Sequence, residues 1–200
     1  MKKVVTIPNI LSFVRILLIP IFIVFYFDKS LENNMVWAAV ILLISGATDV
    51  LDGIIARSFN MISSFGKFID PAADKLTQGA VVVCLSVNHP VIVPLLVLFF
   101  AKEFTMLLAS IQLFKIGLRP SESKWWGKMA TVVFYLIMLV ILVADAMEWQ
   151  LAMEFIITMV VIASISILFS LFNYYPIFKD IQTGKYDMEA EKKIKTPQKK

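Results

Sequence analysis

Residues Asp49 to Asp74 have the sequence D-V-L-D-G-I-I-A-R-S-F-N-M-I-S-S-F-G-K-F-I-D-P-A-A-D, which places four carboxylates in otherwise apolar sequence. Asp49 and Asp52 are three residues apart, so they share one face of a helix. Asp70 and Asp74 are four apart and do the same. Acids brought together repel one another and lose solvation unless they bind cations or take up protons. Because hard divalent ions such as Mg²⁺, Mn²⁺ or Ca²⁺ prefer oxygen ligands, the segment predicts a metal site.

The rest of the chain has the composition of a membrane protein. Of its 200 residues, 59% are hydrophobic and 17% are charged, whereas a soluble domain has about 25% charged residues. A helix of about 20 apolar residues spans a bilayer, and six segments fit that length. We expect an all-α, polytopic bundle of six transmembrane helices at about Ile10–Phe27, Met35–Ala56, Pro71–Val87, Pro90–Phe114, Trp125–Ala144 and Leu151–Tyr174.

The distribution of charge predicts how the bundle is oriented in the membrane and which partners it contacts. Apart from Lys29 in the first loop, the lysines and arginines of the short loops fall on one side of the bundle, so both termini are expected to be cytoplasmic. Residues 1–178 would form the transmembrane catalytic domain, and residues 179–200 a polar, basic cytoplasmic tail. The net charge of +4 fits contact with anionic membrane lipids. We expect no nucleic-acid partner, because no basic, aromatic-rich soluble module is present.

The pattern D-x-x-D-G-x-x-A-R-x8-G-x3-D-x3-D is complete in this chain. Its remaining positions are Gly53, Ala56, Arg57 and Gly66. It resembles the signature of the CDP-alcohol phosphotransferases, membrane enzymes that make phospholipids. The resemblance implies that the first three aspartates, Asp49, Asp52 and Asp70, are metal ligands for two Mg²⁺ or Mn²⁺ ions and that Asp74 is the general base. It also implies a homodimer.

A lipid substrate explains why the motif lies near the cytoplasmic ends of its helices. CDP-diacylglycerol keeps its tails in the bilayer and its pyrophosphate at the surface, where bound divalent ions would stabilise the leaving CMP. Gly53 and Ala56 leave room for the nucleotide, and Arg57 and Lys67, on the connecting loop, are expected to contact phosphate. Gly66 completes the predicted set of CDP-binding and phosphate-binding residues. We expect a single in-line displacement in which Asp74 takes the proton of the acceptor hydroxyl.

The acceptor is predicted from the segment I-P-N-I-L-S-F-V-R-I-L-L-I-P, Ile7 to Pro20, which resembles the start of bacterial phosphatidylglycerophosphate synthases. Such enzymes commonly contain R-E-F and G-K-x-K-T, from which Lys102-Glu103-Phe104 and the segment 127–131 depart at one basic position each. We therefore expect glycerol 3-phosphate as the acceptor. Because it is a dianion, its binding site needs cationic side chains. The candidate acceptor-binding residues are Lys67, Lys102, Arg119, Lys124 and Lys128.

Three alternatives stay open at this point. Phosphatidylglycerol as the acceptor would make the enzyme a cardiolipin synthase. In the second alternative the acids form a structural ion-pair network with nearby lysines and arginines, and in the third they line the pathway of a cation transporter. The outer half of the predicted bundle is nearly free of charge, which disfavours a continuous pore. His89 is expected to be an ordinary outer-loop residue, and Lys102 and Glu103 to point to different helix faces.

Overall fold

The computed structural model describes residues 7–58, 66–115 and 125–182. This part of the chain contains six α-helices, namely α1 (Ile7–Phe27), α2 (Asn34–Ser58), α3 (Gly66–Asn88), α4 (Val93–Lys115), α5 (Trp125–Ala146) and α6 (Met153–Gln182). A 3-10 turn, Pro90–Ile92, precedes α4. Because these ranges contain no β-strand, the predicted all-α class with six helices is confirmed.

Four of the described helices are long and apolar enough to cross a membrane. Their apolar spans are Asn9–Phe27, Pro90–Leu113, Trp125–Ala146 and Met153–Pro176. Helix α2 contributes a shorter apolar stretch, Asn34–Asp49. Helices α2 and α3 are less hydropathic because they carry the aspartates of the motif.

Large apolar side chains lie on the exposed faces of the helices. Phe172 is 78% exposed, Trp125 63% and Val97 62%. Extended apolar surface of this kind is uncommon on soluble monomers, whereas in a bilayer it contacts lipid tails. Together with the apolar spans, these faces identify an integral membrane protein.

The described chain divides into two compact units, of which the first comprises residues up to Leu96 together with Tyr135–Val160. Within this unit α1 packs against both α2 and α3. Apolar side chains from all of its segments are fully buried, among them Ala38, Leu85, Ile92 and Ile141. Helix α1 is therefore the element that brings together the two halves of the aspartate motif.

His89 and Asp145, two largely buried side chains, join two segments of the first unit. The ring nitrogen Nε2 of His89, which follows α3, lies 3.0 Å from both carboxylate oxygens of Asp145 near the end of α5. Beyond Asp145, Glu148 adopts a left-handed backbone with φ of 55°, and the Trp149 N–H donates to the Ala144 carbonyl at 2.9 Å. This reversed turn ends α5. His89 is thus not a free loop side chain but one half of a tertiary contact.

The second unit comprises Val97–Phe134 and the described residues from Val161 onward. Its helices meet through aromatic rings: Phe99 stacks on Phe134 with ring centroids 5.0 Å apart. Trp126 meets Tyr174 edge-on at 6.0 Å. The Tyr174 ring approaches Gly127 so closely that a Cβ there would lie 2.9 Å from the phenol oxygen, so only glycine permits this contact without a shift.

Candidate active site

Helix α2 carries Asp49 and Asp52 on one stripe with Ser45, as their spacing predicts. Asp52 is buried, with 5% of the residue exposed, whereas about half of the Asp49 side chain, 52%, is exposed. Both carboxylates contact the guanidinium of Arg15 on α1. Arg15 Nη1 lies 2.7 Å from Asp49 Oδ1, and Nη2 donates to Asp52 Oδ2 at 2.5 Å. One arginine therefore holds the two acids of α2.

Helix α3 carries the other two acids. The Ser12 hydroxyl of α1 donates a hydrogen bond to Asp70 Oδ1. Asp74 accepts a hydrogen bond of 3.0 Å from Gln78 Nε2, one turn further along α3. Buried Thr77 of the same helix donates to the Ala73 carbonyl at 2.9 Å.

Three of the four aspartates contact a single turn of α1. Ser12 and Arg15, three residues apart on that helix, contact one acid of α3 and both acids of α2, respectively. Asp74 interacts electrostatically with Asp49 and with Arg15. Asp74 and Asp49 also interact with Tyr135 on α5, which belongs to the same unit. Among the side chains that the structure describes, Arg15 is a buried cation of this acidic site.

The donor chemistry of this site fits a hard divalent ion. Its candidate ligands are carboxylate oxygens from α2 and α3, two helices that both pack against α1, and Asp49 is exposed whereas Asp52 is buried. In the described ranges no three acidic, histidine or cysteine side chains already share a coordination shell, and Arg15 instead lies against Asp49 and Asp52. The metal roles of Asp49, Asp52 and Asp70 and the base role of Asp74 therefore stay predictions.

The helix boundaries correct several predicted positions. Because α3 begins at Gly66, Asp70 and Pro71 lie beyond its first turn, and Lys67 lies on the helix rather than on a connecting loop. Arg57 likewise belongs to the last turn of α2. The helix dipole consequently acts less directly on Asp70 than the sequence-based boundary implies.

The remaining predicted binding residues are only partly described. The structure describes the backbone but not the surroundings of five of them, Gly53, Ala56, Arg57, Gly66 and Lys67. Two others, Arg119 and Lys124, lie outside the described residues. Lys128, in α5, is exposed in the second unit. None of these positions is brought to the aspartates by a described contact.

The expectation that Lys102 and Glu103 point to different faces is wrong. Lys102 Nζ lies 2.9 Å from Glu103 Oε1, and both side chains are largely buried in the second unit. Adjacent positions on a helix diverge at Cβ, but both side chains are long enough to fold back toward each other. The contact pairs Lys102 with Glu103, and the predicted role of Lys102 in acceptor binding stays a prediction.

Ser12 and Arg15 are functional candidates that the aspartate motif does not include. A signal for them exists in the sequence, because a serine and an arginine three residues apart interrupt an apolar helix. An ionisable side chain at membrane depth is costly and usually faces a bundle interior with its partner. The sequence does not show which acids are the partners of Arg15, and only the tertiary contacts identify them as Asp49 and Asp52.

The chain is similar to a known protein family and to several named bacterial proteins. A family model described as CDP-alcohol phosphatidyltransferase matches residues 5–172. A protein of Streptomyces coelicolor named cardiolipin synthase (CMP-forming) is 33% identical over 149 residues, which cover 74% of this chain and 69% of that protein.

Two further relatives carry a different name, CDP-diacylglycerol--glycerol-3-phosphate 3-phosphatidyltransferase. The protein of Rickettsia felis is 40% identical over 98 residues, covering 48% of this chain and 53% of the relative. The protein of Haemophilus influenzae is 32% identical over 130 residues, covering 62% and 69%. The match to the rickettsial protein thus spans about half of that relative's length.

Proposed function

The chain belongs to the CDP-alcohol phosphatidyltransferase family, and from this we propose that it transfers the phosphatidyl group of CDP-diacylglycerol to glycerol 3-phosphate. The products would be phosphatidylglycerophosphate and CMP. The observation that carries the proposal is that Ser12 and Arg15 contact three of the four motif aspartates, with Asp74 one turn beyond Asp70 on α3. Several relatives at 32% to 40% identity are named for this acceptor, which supports glycerol 3-phosphate over phosphatidylglycerol.

The acids of the site divide by role in this proposal. Enzymes of the family generally use a divalent metal. Asp49, Asp52 and Asp70 would hold two Mg²⁺ or Mn²⁺ ions, which when bound offset the charge of the pyrophosphate and of the departing CMP. Asp52 would bind an ion in the buried part of the site, and Asp49 in the exposed part.

Asp74 is proposed to accept the proton of the acceptor hydroxyl. Gln78 donates to Asp74 Oδ2, which fixes the carboxylate and leaves Oδ1 to face the hydroxyl. The hydroxyl oxygen then attacks the phosphorus attached to diacylglycerol, and the bond from that phosphorus to the oxygen of CMP breaks. The proton moves to Asp74, and CMP departs with the electron pair.

The membrane setting completes the proposal. We propose that the protein lies in the cell membrane with both termini and the acidic site on the cytoplasmic side, because lysines and arginines concentrate in the loops of that side. CDP-diacylglycerol, glycerol 3-phosphate and membrane lipids would be its partners, and a homodimer its assembly. Residues 1–178 would carry the catalysis, and residues 179–200 would form the cytoplasmic tail.

A direct displacement predicts inversion of configuration at phosphorus. The described part of the site holds carboxylates, a guanidinium and a serine hydroxyl already bonded to Asp70, and no described cysteine or histidine side chain lies among them. CDP-diacylglycerol that is isotopically chiral at the transferred phosphorus should therefore give inverted product. Retention of configuration would indicate a covalent phosphatidyl-enzyme and would contradict the mechanism.

The acceptor is tested with a panel of alcohols. Purified protein in detergent with Mg²⁺ and CDP-diacylglycerol should release CMP with glycerol 3-phosphate and not with phosphatidylglycerol, inositol phosphate or serine. Activity only with phosphatidylglycerol would make this a cardiolipin synthase, the name carried by the Streptomyces relative. Ion flux in vesicles without CMP release would favour the cation transporter.

A further inference from the structure

Arg15 is a buried cation inside a site expected to bind cations. Only 1% of this residue is exposed, although it lies in an apolar helix. Its two terminal nitrogens contact separate carboxylates, Asp49 at 2.7 Å and Asp52 at 2.5 Å. The guanidinium therefore offsets one of the two negative charges that α2 brings to the site.

We propose that Arg15 competes with divalent metal ions for Asp49 and Asp52 and thereby lowers the affinity of the site for those ions. The inference rests on the proposed function, because it takes the same carboxylates as metal ligands. An ion bound to either carboxylate would meet the positive charge of the guanidinium at close range. Whether the guanidinium withdraws or stays, this repulsion lowers the affinity for the ion.

The guanidinium of Arg15 makes few directed hydrogen bonds, so a metal ion can displace it from the carboxylates. Within the part of the chain that the structure describes, its buried Nε and Nη1 have no hydrogen-bond acceptor in good geometry. The contact from Nη1 to Asp49 is thus mainly Coulombic, and the directed hydrogen bond is the one from Nη2 to Asp52. A purely structural buried arginine normally has its donors satisfied. Arg15 instead retains donors that can turn to another anion when an ion takes its carboxylates.

The test measures metal affinity without substrate. Mn²⁺ is titrated into purified protein in detergent, and the free ion is followed by electron paramagnetic resonance. Arg15→Gln, which removes the charge, should bind Mn²⁺ about tenfold more tightly than the unaltered protein. Arg15→Lys keeps the charge and should bind Mn²⁺ about as weakly as the unaltered protein. His89→Gln, a matched control that breaks the contact with Asp145, should leave the affinity unchanged.

A second measurement uses the unaltered protein, so it does not depend on the folding of a variant. The chain has three arginines, Arg15, Arg57 and Arg119, whose guanidinium resonances can be observed with labelled arginine. Addition of Mg²⁺ should shift the resonance that disappears in Arg15→Lys.

The outcomes separate the inference from the proposed function. Unchanged or weaker Mn²⁺ binding by Arg15→Gln, or an unmoved Arg15 resonance on a site that binds Mg²⁺, would overturn the competition. If the unaltered protein binds no divalent ion, or binds it equally well as Asp49→Asn and Asp52→Asn, the metal site of the proposed function fails instead.

Discussion

Asp52→Asn is expected to slow CMP release by about a hundredfold or more, because it removes one charged metal ligand while preserving the shape of the side chain. Asp52 is the buried acid of α2, so solvent cannot replace its oxygen easily. The amide oxygen of asparagine can still accept the hydrogen bond from Arg15, which favours correct folding. CMP release is measured against Mg²⁺ concentration, and part of the loss should be recovered at high Mg²⁺.

The matched control for this substitution is Asp145→Asn. Asp145 is another carboxylate of the first unit with a side-chain partner, His89, but it lies outside the proposed site. It should retain most of the activity even if thermal stability falls. Near-normal turnover by Asp52→Asn, with unaltered dependence on Mg²⁺, would remove Asp52 from the metal site.

Asp74→Asn is expected to lower kcat by about a hundredfold to ten-thousandfold, the range that general-base catalysis supplies. Binding of Mn²⁺ should change little, because the proposal assigns the ions to the other three aspartates. Gln78 can rotate its amide to match asparagine, so the local helix is expected to survive. Turnover with glycerol 3-phosphate and Mn²⁺ titration are measured on the same sample.

The pairing of these measurements distinguishes the two roles of an acid. If Asp74→Asn lost Mn²⁺ binding as severely as Asp52→Asn, Asp74 would be a ligand and not the base. A glutamate at position 74 keeps the ionisable group and should recover part of the lost rate. Full activity of Asp74→Asn would leave the proton of the acceptor without its proposed destination.

The order of the helices could be predicted because their physical signal is local. Apolar runs long enough for a bilayer mark α1, α4, α5 and α6 directly. Helices α2 and α3 were harder to delimit from hydropathy, because the carboxylates that matter for chemistry also reduce the apolar character. Spacing within the motif still predicted that each pair of aspartates shares a helix face.

Contacts across the sequence could not be predicted in the same way. Arg15 and Asp52 are 37 residues apart, and Ser12 and Asp70 are 58 apart, so no helical period relates them. The prediction for Lys102 and Glu103 was wrong although the two residues are adjacent. Helical geometry fixes the Cβ directions of neighbours, whereas two long side chains can bend toward each other.

The position of α1 bears on how related sequences are recognised. A chain that began after Phe27 would keep the complete aspartate pattern, yet it would lack both side chains, Ser12 and Arg15, that tie three of those aspartates together. A search by the pattern alone would accept such a truncated relative as intact. The first membrane helix is thus part of what such a search must require, and it is more than an anchor that evolution could exchange for any other apolar segment.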